Sequence, residues 1–225
     1  MWYIRKIVML GMLFTSAFFP INVLANNGGI TEMTLTIQNN DIDLKYSAAI
    51  ERTEISSVQV TMWQDFSESI DARLNIASIE LSQKATGSVS IYNTTGYILG
   101  IGFRGNVLET ELLNIGVSLG LDYLATEGET SSNESVSVSW FESTVKTDLE
   151  LFPNKSLSFL TGASYTVIDG EHDVADTSTI TSFSEQDAEG YYAGLSLKAS
   201  GGGKVALIWQ GGYRKGVYLS FSNQF

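Results

Sequence analysis

This 225-residue chain contains no cysteine. That absence excludes a disulfide scaffold, a thiolate metal site and a lipoprotein anchor, which needs a Cys at its cleavage point. Histidine occurs once, as His172, and proline only twice. Bases are scarce: 13 Lys and Arg stand against 25 Asp and Glu, for a formal charge of -12. A chain this acidic has no basic patch with which to neutralise phosphates, so nucleic acid is excluded as a partner. Long apolar runs are missing too. The longest, Ile7 to Phe19, is well short of the roughly 20 residues a membrane-spanning helix needs. What is abundant points to β-structure: aromatics make up 11% of the chain, and glycines number 21.

The short apolar run has its own explanation. Arg5 and Lys6 precede it, and Val23-Leu24-Ala25 follows with small residues where a signal peptidase cuts. The expected organisation is a signal peptide over 1–25 and a single domain over 26–225. Cleavage would remove two bases and no acid, leaving the exported chain more acidic still.

From Asn26 onward apolar residues recur at every second position, the period of a strand. Clear rows are Val58/Val60/Met62, Tyr97/Leu99/Ile101/Phe103 and Leu113/Ile115/Val117/Leu119/Leu121/Tyr123. The residues between them are small or charged, for example Asn114, Gly116, Ser118, Gly120 and Asp122. A soluble antiparallel sandwich shows the same alternation. Two features favour a barrel in lipid instead: the rows run about ten residues, and Tyr and Trp sit near their ends. The end of the chain is one more such strand. Val217, Leu219, Phe221 and Phe225 share one face, and Tyr218, Ser220, Ser222 and Gln224 share the other.

An alternating final strand ending in Phe resembles the C-terminal assembly signal of small, porin-like bacterial outer-membrane β-barrels, with Asn223 departing from the usual pattern. The resemblance implies an all-β, closed antiparallel transmembrane barrel in the outer membrane of a Gram-negative cell. It also implies outer-membrane lipid, lipopolysaccharide and the barrel-assembly machinery as partners. Counting back from Phe225, strands are expected over 216–225, 204–211, 189–199, 156–168, 136–151, 111–124, 96–105, 70–82, 55–65 and 41–52. That makes ten, with eight or twelve as alternatives; 30–37 is either a further strand or part of the first. Long connectors are expected at 82–95, 125–135 and 169–189.

Chemistry is sparse. Charges on the lumen side are expected to pair into a network: Lys45, Arg73, Arg104, Asp122, Glu142, Lys146, Asp148, Glu150 and Lys198, with Glu51 a further candidate. In the longest connector, His172 lies among Asp169, Glu171 and Asp173, a composition able to polarise water or hold a hard cation. The regular calcium-loop spacing is absent, and solvated acidic loops are the plainer reading. No cofactor is implied, and the oligomeric state is left open. The expected function is a non-enzymatic barrel, either a structural and surface-interaction protein or a narrow channel. The alternatives are an outer-membrane hydrolase using His172 and a soluble ligand-binding β-sandwich.

Overall fold

A computed structural model describes residues 30–46, 49–83, 92–130, 134–152, 154, 156–174, 179–199 and 201–225. The expected signal peptide lies outside them. The described chain is antiparallel β-structure throughout: β1 (Ile30–Tyr46), β2 (Ile50–Ser67), β3 (Ile70–Gln83), β4 (Tyr92–Glu109), β5 (Leu113–Thr130), β6 (Ser135–Leu151), β7 (Leu157–Val174), β8 (Thr179–Glu185), β9 (Glu189–Lys198), β10 (Gly203–Gly212) and β11 (Arg214–Gln224). Each strand pairs with its sequence neighbour except β8 and β9, which do not pair with each other; β7 carries both, β8 on one part of its length and β9 on the other. β11 closes the ring on β1, from Glu32 opposite Gln224 to Ile42 opposite Arg214. Closure satisfies the backbone groups of both would-be edges, which hydrocarbon cannot solvate.

The ring changes size along its axis. At the terminal end, where β1 starts and β11 stops, all strands except β8 form a ring of ten. β9, β10 and β11 stop part-way up. Beyond them β8 fills the gap, pairing with β7 from Asp169–Ser184 to Val174–Thr179 and with β1 at Leu44, Lys45 and Tyr46. The distal ring therefore has eight strands, β1 to β8. Backbone contacts seal the junction: Gln186 N–H donates to the Asp43 carbonyl, Thr166 N–H to Ala188, and Tyr213 N–H to Glu189. The β10–β11 turn fits beneath because Gly212 adopts a φ of 87°, where a side chain would also strike the Glu189 carbonyl.

Polarity inverts where the ring narrows. Along β6 even-numbered side chains point inward throughout. Val136, Val138 and Trp140 are buried and apolar, whereas Glu142, Thr144 and Lys146 are polar. The outward face runs the other way, with Ser135, Ser137 and Ser139 followed by Phe141 and Val145. β5 repeats the pattern: Leu119 is 53% exposed, while Glu127 and Glu129 stand outward further up. A belt of exposed Leu, Ile, Val and Phe thus surrounds the terminal part, far more apolar surface than a soluble monomer shows. Lipid covers such a belt. In the distal part the same strands are polar outside and apolar inside, as in a protein standing in water. With about ten of the 17 residues of β6 crossing the bilayer at a tilt, the remainder rises roughly 15–20 Å above it.

The structure corrects several expected boundaries. β1 ends at Tyr46 and β2 begins at Ile50, so 41–52 is not one strand, and 30–37 belongs to β1. The connectors at 125–135 and 169–189 are largely strand, and the latter contains β8. The physical reason is the polarity inversion: apolar rows on the outer face end at the membrane surface, but the strands do not.

Candidate functional site

Fifteen buried side chains fill the eight-stranded distal ring, among them Ile42, Leu81, Leu124, Trp140, Ile168 and Phe183. An eight-stranded barrel is just wide enough for side chains to fill, so this cluster is a plug. Trp140 meets Phe183 edge-on, ring centroids 5.8 Å apart. Above that pair lies a polar layer: His172 is 5% exposed and packs between Tyr46 and Tyr92, with centroids at 6.3 and 4.9 Å. Burial lowers the pKa of the imidazole, and Asp173 opposes the shift only in part.

His172 is therefore not on a loop, as the sequence reading expected, but on β7, facing inward. Alternation places Asp169, Glu171 and Asp173 on the outer side of the same strand. No group of three or more His, Cys, Asp or Glu that could hold a metal ion occurs among the described residues.

Below the plug the lumen is charged, and its charges are paired. Arg73 donates to Asp122 at 2.7 Å, and Asn75 donates to the other oxygen of the same carboxylate. Glycines make the room: a Cβ at Gly120 would lie 2.7 Å from the Arg73 guanidinium, and one at Gly100 would fall on the Asp122 carboxylate. Asp122 lies beside Glu142 across β5 and β6, and Arg214 pairs with Glu142 from the opposite wall. Nearer the terminal end, Lys146 pairs with Asp148, which also accepts the Tyr192 hydroxyl. Lys204 pairs with Glu150, which accepts the Ser158 hydroxyl as well. At the mouth Arg104 bridges Glu32 and Asp71 over the Trp63 ring. Arg104 is 32% exposed, Arg73 18% and Arg214 10%, and the plug above is nearly dry. The pairs nearest the plug are the least exposed of the lumen pairs.

Of the charges expected in the lumen, Arg73, Arg104, Asp122, Glu142, Lys146, Asp148 and Glu150 lie in these layers. Lys45 does not; it stands exposed on the outer face of β1. Lys198 is exposed at the terminal rim, its ammonium 4.5 Å from the Phe152 ring centroid. Glu51 is buried in the polar layer above the plug. The sequence reading missed Glu32, Asp71, Lys204 and Arg214. Arg214 adjoins a two-glycine turn and Lys204 follows three glycines, so neither lay within a clear alternating row. On the final strand Val217 and Phe221 point outward within the apolar belt, with Leu219 between them and Phe225 at the rim.

No family model and no curated protein matches this chain. Solved structures do. The β domain of the Bordetella autotransporter BrkA aligns with a TM-score of 0.50 at 9% identity, over 87% of this chain and 99% of that one. An outer membrane channel from Pseudomonas putida F1 gives 0.47 at 8% identity, covering 88% and 96%. Ail, the attachment invasion locus protein of Yersinia pestis, gives 0.40 at 10%, covering 87% and 98%. At such identities the likeness is one of fold. The chain has the fold of the bacterial outer-membrane β-barrels, a closed antiparallel transmembrane barrel with ten strands in the membrane.

Proposed function

We propose that this protein is a plugged outer-membrane barrel that presents a rigid β-extension at the cell surface, rather than an open channel. The observation that carries the reading is the apolar plug within the eight-stranded distal ring. A channel needs a continuous wet path, and a Trp140–Phe183 core between lumen and exterior interrupts it. The polar outer face of the distal strands favours contact with water and soluble partners. The final strand, with Val217, Leu219, Phe221 and Phe225, suits the role of assembly signal, and outer-membrane lipid and lipopolysaccharide are the natural surroundings of the belt. Burial of His172 counts against the hydrolase alternative, because a general base has to reach its substrate.

Reconstitution into planar bilayers tests this. A folded, heat-modifiable protein that gives no discrete conductance is the expected result. Stable single-channel openings at neutral pH would overturn it.

A further inference from the structure

Directly beneath the plug the lumen widens into a well of about 250 Å³. Its ceiling is apolar, formed by the undersides of Ile98, Leu124 and Trp140. Its two walls differ. On one side stand the fixed pair Arg73–Asp122, Glu142, which takes Arg214 from the opposite wall, and Lys146, held by Asp148. Their charges cancel, so the well has no excess of either sign to select an ion. On the other side β1, β2 and β9 to β11 present, Arg214 apart, neutral amides and phenols. Gln38 faces Tyr218 across the barrel seam, Gln210 faces Tyr192, and Gln59 faces Thr36.

We propose that this well binds a neutral, polyhydroxylated solute of monosaccharide size, arriving from the terminal end. Such a ring has weakly polar C–H faces that suit the apolar ceiling and the tyrosines. Each of its hydroxyls both donates and accepts, as planar amides require. A charged solute would lose its water in the well and find every counter-charge already paired. The site as a blind well rests on the reading of the barrel as plugged.

The test is calorimetric titration of the full chain, refolded in a sugar-free detergent, with glucose, N-acetylglucosamine and glycerol. Glucose 6-phosphate and lysine serve as charged probes. Saturable binding of a neutral sugar is expected, weakened at least tenfold in Gln59→Ala and in Gln210→Ala, neither of which breaks an ion pair. Absence of saturable binding by any neutral polyol, preference for a charged probe, or an affinity in both variants equal to that of the unsubstituted chain would overturn the proposal. Binding is read in micelles and conductance in bilayers, so the two readings fail separately: a conducting barrel that binds sugar would lose its plug but keep its site.

Discussion

Trp140→Ala probes the plug at its largest side chain. Trp140 is 2% exposed, and the Phe183 ring packs against it edge-on. Gly170 lies so close that a Cβ there would come within 2.7 Å of the Trp140 Cβ, so the backbone has little freedom to fall into a void. Truncation of a buried Trp in such a site costs about 3–5 kcal/mol, the lost transfer energy plus the cavity left behind. At roughly 1.4 kcal/mol per decade, the open-to-closed ratio of the distal ring should rise by about two to three and a half orders of magnitude. Hydrogen exchange in micelles reads this directly, through the amides of β8 and of β7 from 169 to 174, which pair only within that ring. Ser139→Ala is the control, since it alters the outward neighbour and should stay within about 0.5 kcal/mol. A Trp140→Ala effect below about 1 kcal/mol would refute the claim that a packed apolar core closes the barrel.

Three further predictions follow from the same geometry. Leu119→Arg places a charge on the lipid face and should destabilise the refolded barrel by about 2–4 kcal/mol, whereas Glu127→Arg, eight residues along the same face, should be nearly neutral; urea unfolding from lipid vesicles compares them, and equal costs would contradict the polarity boundary. Gly100→Val should expel the Asp122 carboxylate from its place and leave Arg73 without its partner, lowering the midpoint of the heat-induced gel shift by more than an outward Ile101→Val does; equal shifts would refute the packing role of the glycine. Burial lowers the pKa of His172, so the opened distal end binds a proton more readily than the closed one; closure is fully favoured above about pH 6.5 and weakens as pH falls below it. Exchange of the β8 amides should therefore speed up between pH 7 and 5, after correction for intrinsic rates, and His172→Gln should flatten that slope; an unchanged slope in the variant would refute the assignment.

The membrane part was legible because one rule governs it. Outer rows such as Leu113 to Tyr123 and Tyr97 to Phe103 alternate without interruption, and the strands lie where the rows lie. The distal part follows the opposite rule. In Ser135-Val-Ser-Val-Ser-Trp-Phe the apolar residues change parity between Trp140 and Phe141, so a search for outward apolar rows ends there although the strand continues. The same assumption took 169–189 for a loop. That segment reads as polar because its outward residues, Asp169, Glu171 and Asp173, are solvated, while Ile168, His172 and Phe183 point into the plug. The lumen pairs were only half legible. Alternation tells which charges face inward, but the Glu142–Arg214 contact joins residues 72 apart across the barrel, and only closure of the ring brings them together.

Single strands of this barrel pass from lipid to water while their inner face passes from polar to apolar. A chain without cysteine allows this to be tested one position at a time, with a nitroxide on an introduced Cys at each outward site of β6 from 135 to 151 in a lipid bilayer. Collision rates with oxygen and with a water-soluble nickel chelate then report lipid or water at each position. Chelate access is expected at 135, 137 and 139 and oxygen access from 141 to 149, with the crossover at Trp140. Lipid exposure continuing through 135, or water along the whole strand, would contradict it.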